Sequence, residues 1–261
     1  MSKKDIILNS IIKEYLKKNA PIGSTELKKT LELDMSASTI RVYFKKLSYE
    51  GILMQLHTSS GRVPTWIALK RYWKEQLGSI DEIKLSSIDE LRNWVREFDI
   101  YCMLQLKDDL KLSEIINVED KFLLIVFEDK SVVLKYNEKV EKFLKSLIGY
   151  DIEKVKDISI NVGLYELKRK IEQLLMDNIV LKEKEEVLYD MAKSSGFYQN
   201  IKSFMNSSLF EHLQNGVYFE ELVPQGYMAI KYSTTVDEKE ADLFCLGRAN
   251  KDYKEFLKAI A

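Results

Sequence analysis

Ser36-Ala-Ser-Thr-Ile-Arg-Val-Tyr-Phe-Lys-Lys-Leu-Ser-Tyr-Glu-Gly51 runs directly into Ile52-Leu-Met-Gln-Leu-His57-Thr-Ser-Ser-Gly-Arg-Val-Pro-Thr65, and these two adjoining stretches decide the fold of the N-terminal part of the chain. In the first, Ile40, Phe44 and Leu47 recur at i, i+4 and i+7, the spacing of a helix with one buried face. Ser36 or Ser38 serves as its N-cap, and Gly51 stops it. In the second, Ile52 to Leu56 favours a strand and residues 57–61 form a turn cluster. Arg62-Val63 pairs back before Pro64 ends the ladder.

Working outward, Ile7, Leu8, Ile11, Ile12, Tyr15 and Leu16 form an apolar stripe that predicts a first helix over Lys4 to Asn19. Asn19-Ala-Pro-Ile-Gly23 breaks it. Ser24 is the expected cap of a short second helix, with Glu26 in the first turn, Leu27 and Leu31 inward, and an end near Glu32. Three helices and a hairpin describe a winged helix-turn-helix, whose third helix enters the major groove while the wing lies along the backbone or minor groove. Thr39, Arg41, Val42, Lys45 and Lys46 fall off the buried stripe, so hydrogen-bond donors and cations occupy the exposed surface a groove reader needs. Such cations are also what an ordinary solvated helix face carries, and His57, Thr58, Ser59 and Ser60 also suit plain turn hydrogen bonding.

Charge separates the same segment from the rest. The chain of 261 residues has 40 basic and 41 acidic side chains, a net charge of −1 that alone argues against a polyanionic partner. Residues 1–78 nevertheless hold 14 Lys and Arg against 7 Asp and Glu, whereas the remainder holds 26 against 34. A basic head on an acidic body points to a nucleic-acid partner for the head. Arg is scarce, with 7 of the 40 cations, yet Arg41 and Arg62 stand in the two expected contact elements.

The blocks Pro21-Ile-Gly-Ser24, Ser36-Ala-Ser-Thr-Ile-Arg41, Gly51-Ile-Leu and His57-Thr-Ser-Ser-Gly-Arg-Val-Pro-Thr65 resemble, in order and spacing, the signature blocks of HrcA, a family of bacterial heat-shock repressors. The resemblance implies a homodimer that binds double-stranded DNA at an inverted-repeat operator called CIRCE upstream of chaperone genes, releases it on heat shock, and is kept active by a GroEL-type chaperonin. It also implies an α+β multidomain architecture: a winged helix-turn-helix at 1–78, a linker and bridging helix at 79–110, and a GAF-like α/β domain at 111–261. A helical dimerisation insertion is expected near 175–219, where the chain is short for the family. Three positions depart from the family pattern: Ala68-Leu-Lys70 replaces a Gly-Tyr-Arg element, Leu56 replaces a Pro, and Val42 replaces an Asn able to grip adenine through two hydrogen bonds.

The expected DNA-binding residues are Ser24, Thr25, Ser36, Ser38, Thr39, Arg41, Lys45, Lys46, His57, Thr58, Ser59 and Arg62. Thr39, Arg41 and Lys45 are expected at base edges. Ser24, Thr25 and the wing residues are expected at phosphate or the minor groove.

In the acidic remainder, Ile88, Leu91, Val95, Phe98, Cys102 and Leu106 predict one long amphipathic helix over Ser87 to Lys107. Phe122 to Phe127 and Ser131 to Tyr136 read as a hairpin, followed by a helix at Glu138 to Ile148 and a long helical stretch from about Leu164 to Met191. Strands are expected at Val217 to Leu222, Tyr227 to Tyr232 and Asp242 to Leu246, with a last helix from Lys251.

A content of 46% apolar and 31% charged residues with 3 Pro excludes a disordered or collagen-like chain. The longest apolar run, Phe122 to Phe127, is far below the roughly 20 residues that span a bilayer, so a cytoplasmic location is expected. Two cysteines make no disulfide framework. No zinc, Walker or dinucleotide motif is present, so no enzymatic role, metal or cofactor is expected. Two other readings remain: a winged-helix regulator gated by a small molecule in the GAF-like domain, and an interaction scaffold whose basic head binds protein.

Overall fold

The computed structural model describes residues 2–31, 34–57, 60–78, 80, 82–107, 110–176, 178–198, 201–205 and 213–261. The chain is a mixture of helices and antiparallel-rich sheets. It begins with α1 (Lys3–Lys18), α2 (Ser24–Thr30) and α3 (Ala37–Tyr49), followed by the paired strands β1 (Leu53–Met54) and β2 (Val63–Pro64). Ser2 and Asp5 form a reciprocal capping box at the start of α1, and Asn19 ends it in the left-handed region. Ser36, not Ser38, caps α3 by accepting from the Thr39 amide. Ile40, Phe44 and Leu47 point inward with Ile7, Ile11, Leu27 and Leu53 to form the core of this head.

One cap differs from expectation. Gly23 is the N-cap of α2 and Ser24 is its first helical residue. The Ser24 side chain is buried and its hydroxyl accepts from Arg41 Nε, so it is turned away from the amides of its own helix.

Thr65 caps α4 (Trp66–Leu77), a helix absent from the sequence reading. Its face of Ala68, Leu69, Tyr72, Trp73 and Leu77 packs into the core of the body together with Ile12 and Leu16 of α1. The single apolar stripe read in α1 therefore serves two cores: Ile7 and Ile11 face the head, and Ile12 and Leu16 face the body. Trp73 Nε1 donates to the Ala249 carbonyl at 2.7 Å, and Tyr232 Oη donates to the Leu77 carbonyl at 2.7 Å.

The body is built on a sheet in the order β3 (Glu82–Lys84), β10 (Tyr227–Val236), β11 (Lys239–Arg248), β4 (Tyr101–Leu106) and β8 (Ile179–Glu183), with β9 (Gly216–Tyr218) also pairing with β10. Helices cover both faces. α4, α5 (Ile88–Phe98) and α11 (Tyr253–Ile260) lie over the face carrying Cys102, Leu104, Ile230, Leu243 and Cys245. α9 (Glu186–Ser195) and α10 (Ile201–Met205) lie over the other, which carries Tyr101, Met103, Ala229 and Phe244.

This arrangement corrects the expectation of one helix over Ser87 to Lys107. α5 stops at Phe98 because Asp99 takes a left-handed φ of 53°, and the following residues form β4. Tyr101 to Leu104 are buried on both sides of the sheet, so they read as a continuous apolar run without strand alternation. Residues expected as linker and bridge thus supply β3, α5 and β4 to the body.

Between β4 and β8 the chain leaves the sheet. It forms a separate antiparallel sheet of β5 (Leu112–Val118), β6 (Phe122–Phe127) and β7 (Lys130–Lys135), backed by α6 (Glu138–Lys145), α7 (Ile152–Asn161) and α8 (Tyr165–Met176). Leu112, Ile125, Phe127, Leu144, Val155 and Ile171 fill its own core. The interruption of the body sheet therefore falls at 110–176 rather than near 175–219, and the latter stretch contains β8, α9, α10 and β9. The helical stretch expected from Leu164 to Met191 is likewise α8, β8 and α9, because Ile179–Glu183 pairs with β4. The outer face of β5, β6 and β7 leaves Ile116, Val118, Phe122 and Val133 exposed, with Leu124 half-buried among them. Among the described residues no helix is long and apolar enough to cross a membrane.

Candidate nucleic-acid interface

The loop before α2, the exposed side of α3 and the hairpin enclose a cleft of about 490 Å³. Ser24, Thr25, Arg41, Lys45 and Arg62 all line it, joined by Gln55, Ser60 and Gly61. Two backbone hydrogen bonds of 2.9 Å, Ile22 N to Arg62 O and Arg62 N to Ile22 O, fasten the hairpin to the loop that opens α2. Gly61 allows this approach, since a Cβ there would sit 2.4 Å from the carbonyl carbon and oxygen of Ile22.

Both arginines are held by a hydroxyl group at their Nε edge, and Arg62 Nη1 also donates to the Gly61 carbonyl at 3.5 Å. Arg41 Nε donates to Ser24 Oγ at 3.0 Å, and Arg62 Nε donates to Ser48 Oγ at 3.2 Å. A guanidinium anchored through Nε keeps its planar fork oriented while leaving N–H groups for a bidentate acceptor such as a phosphate or the guanine edge. Glu26 also lines the cleft, and its carboxylate is bound to Lys18 by a short ion pair. That hydrogen bond, with the Gly23 amide, lowers the Glu26 carboxyl below its ordinary range.

At the start of α3, Ser36 Oγ lies 2.6 Å from Ser38 Oγ and 2.9 Å from Thr39 Oγ1. The first turn of α3 has no acidic side chain, so the hydroxyls and the positive end of the helix dipole face solvent together. Lys46 lies apart from the cleft, its ammonium 5.7 Å from the Tyr43 ring. His57 is exposed, with its backbone clamped by Ser60: the His57 amide donates to Ser60 Oγ at 3.0 Å, and that hydroxyl donates to the His57 carbonyl at 2.8 Å. Thr58 and Ser59 lie outside the described residues.

Sequence reasoning did not single out Ser48, Gln55, Ser60 or Gly61 as parts of this surface. The Gly between Ser60 and Arg62 was a visible signal for a close backbone approach. Nothing in the sequence announces Ser48, which meets Arg62 only because α3 and the hairpin fold together.

The start of α4, directly after the hairpin, is tied to the body. Trp66 stacks edge-on against Phe219 with 5.6 Å between ring centres, and Lys70 lies 5.4 Å from the same ring. Trp66 Nε1 and Lys70 Nζ both donate to the Glu220 carboxylate in short contacts. Burial works to raise the Glu220 carboxyl, but these two donors outweigh it and bring it down to about 2.

Residues 73–261 match the family model described as the HrcA C-terminal domain. The heat-inducible transcription repressors HrcA of two Helicobacter pylori strains are 29% and 30% identical to this chain, each alignment covering 100% of the chain and 95% of the relative. A solved structure described as a hypothetical protein at 2.2 Å resolution superposes with a TM-score of 0.52 and 18% identity, over 99% of this chain and 94% of that one, a likeness of fold alone. With a family model spanning most of its length and relatives aligned from end to end, the chain belongs to the HrcA family.

Proposed function

We propose that this chain is a heat-responsive transcription repressor, with the head formed by α1, α2, α3 and the β1–β2 hairpin acting as a winged helix-turn-helix on duplex DNA, and α4, within the 1–78 expected for that domain, joining it to the body. The observation that carries the reading is the convergence of Arg41, Lys45 and Arg62 with the Ser24 and Thr25 side chains on one cleft between α2, α3 and the hairpin. Cations that only solvate a surface have no need to share a concavity or to be braced by hydroxyls. In this reading Thr39, Arg41 and Lys45 face base edges. Ser24, Thr25, Ser36, Ser38, His57, Thr58, Ser59 and Arg62 hold phosphate or the minor groove, and Lys46 adds nonspecific attraction.

The operator is an inverted repeat of the CIRCE kind upstream of chaperone genes, which calls for two heads related by a two-fold axis. The outer face of β5, β6 and β7 is the surface assigned to pairing of two bodies, because Ile116, Val118, Phe122 and Val133 leave apolar side chains exposed side by side on it. The sheet with helices on both faces is the GAF-like domain. Release on warming follows from loss of the competent body or dimer, and a GroEL-type chaperonin restores the competent fraction.

The test is fluorescence anisotropy with an inverted-repeat duplex and a scrambled duplex, at several salt concentrations. Arg41→Ala is expected to cost about 1 to 3 kcal/mol on the repeat and to narrow its margin over the scrambled sequence, whereas Lys46→Ala weakens both alike. Equal affinity of the wild-type chain for both duplexes refutes specific recognition. Binding that responds to a small metabolite at constant temperature, but not to warming or chaperonin, favours a ligand-gated regulator instead.

A further inference from the structure

The two cysteines of the chain stand 143 residues apart in sequence and directly opposite each other on neighbouring antiparallel strands, Cys102 in β4 and Cys245 in β11. Their sulfurs are 3.2 Å apart, both are unbonded, and both are fully buried in the core beneath α5 and α11. Opposed residues of an antiparallel pair have Cα atoms about 4.5 to 5.5 Å apart, inside the window of about 4.4 to 6.8 Å that a disulfide accepts. Closing the bond therefore needs rotation of two side chains and a sulfur approach to about 2.05 Å, with no change of strand register.

We propose that Cys102 and Cys245 form a built-in oxidation site, closed to a single intramolecular disulfide by a hydroperoxide when the covering helices open. The chemistry balances. One thiolate attacks the peroxide oxygen, breaking the O–O bond to give a sulfenic acid and releasing an alcohol or water. The second thiol then displaces hydroxide from that sulfur as water, so two thiols lose two protons and two electrons to the peroxide. In the closed body the reaction is suppressed, because burial holds the Cys245 thiol well above its ordinary range, its hydrogen bond to Cys102 adds to the effect, and no oxidant reaches it. Local opening removes both barriers. The product staples β4 to β11, the strands that carry the middle of the body sheet, across a long loop, where a cross-link restricts the unfolded chain most. This site stands independently of the DNA-binding reading, because nothing in it involves the head.

The experiment treats the full chain with excess hydrogen peroxide at room temperature and again a few degrees below its unfolding midpoint, blocks free thiols with N-ethylmaleimide, and records intact mass. The expected warm product is monomeric, about 2 Da lighter than the reduced chain and free of maleimide, and thiol reductant reverses it. It should form at least about ten-fold faster warm than cool, and its unfolding midpoint should rise by roughly 5 to 10 °C. Peptide mapping should join the segments holding residues 102 and 245, and C102A and C245A should each lack the 2 Da loss. Oxygen addition or intermolecular cross-linking in place of that loss, an unchanged mass in both arms, equal rates at the two temperatures, or a disulfide that leaves the midpoint unmoved each overturns the proposal. All of these outcomes are read on the wild-type chain, so they stand even if a variant folds poorly.

Discussion

Replacing Gly61 by Ala tests the junction on which the cleft is built. The new methyl would lie 2.4 Å from the Ile22 carbonyl carbon and oxygen, well inside contact distance and against backbone that no side-chain rotation can move. The hairpin must retreat, and the two 2.9 Å bonds between Ile22 and Arg62 go with it. At about 0.5 to 1.5 kcal/mol each, their loss costs roughly 1 to 3 kcal/mol of stability. Because Arg62 rides on the hairpin, its donors also leave the cleft. If that removes one phosphate contact, the slope of log affinity against log salt becomes shallower by about 0.9. Urea titration reads the first quantity, and anisotropy at four salt concentrations reads the second. Gly23 is the control, since it lines the same cleft but a Cβ there meets nothing within 4 Å. G23A should lose only the difference between a Gly and an Ala cap, about 1 kcal/mol or less, and keep the salt slope. A G61A protein with wild-type urea midpoint and salt slope, or a G23A protein hurt equally on both, would refute the close-approach argument.

Trp73→Phe removes the indole donor to the Ala249 carbonyl and leaves space in a fully buried site, so a loss of about 2 to 4 kcal/mol is expected by calorimetry. A change below about 0.5 kcal/mol, the size typical of surface substitutions, would show that this contact does not hold α4 to the body. Glu220 has its folded carboxyl at about 2, below its ordinary range, so its ion pair contributes above about pH 4.5 and fades as pH falls toward 2. Its side chain is well exposed, so Glu220→Gln should cost no more than about 1 kcal/mol at neutral pH, with the gap to wild type closing on acidification. A gap independent of pH in urea titrations would count against the ion pair. On the proposed pairing face, Val133→Lys with Phe122→Lys should give a monomer by sedimentation while preserving the fold by circular dichroism, and an unchanged oligomeric state would move the interface elsewhere.

The head was legible because its helices are short, capped and one-sided. Ile40, Phe44 and Leu47 sit where their spacing puts them, and the cations between them remain outside. The Ser24 cap was misread because a hydroxyl at a helix start is an equally good acceptor for a distant arginine, and the competition is decided in three dimensions. The body misled for a different reason. Cys102 and Leu106 continue the helical spacing of α5, and a strand buried on both faces offers no alternation to contradict it. Only the left-handed backbone at Asp99 marks the change, and Asp adopts that region too seldom for its presence to signal it. β8 was hidden inside a helical run because its partner strand lies more than 70 residues earlier. The spacing of Ala68, Leu69, Tyr72 and Trp73 by itself describes the buried face of α4, with Thr65 as its cap, so this helix is legible in the sequence although it is not among the expected elements.

The point at which the chain departs from β4 and the point at which it comes back to β8 are rungs of one ladder, with the Leu106 amide donating to the Asn178 carbonyl at 2.9 Å. An excursion whose two ends meet, and which fills its own interior, behaves as a side arm rather than a stretch of the main wall. Lengthening, trimming or exchanging it leaves the remaining rungs in step. In the proposed dimer, how two copies meet could thus be retuned without redesigning the part of the molecule that holds the head.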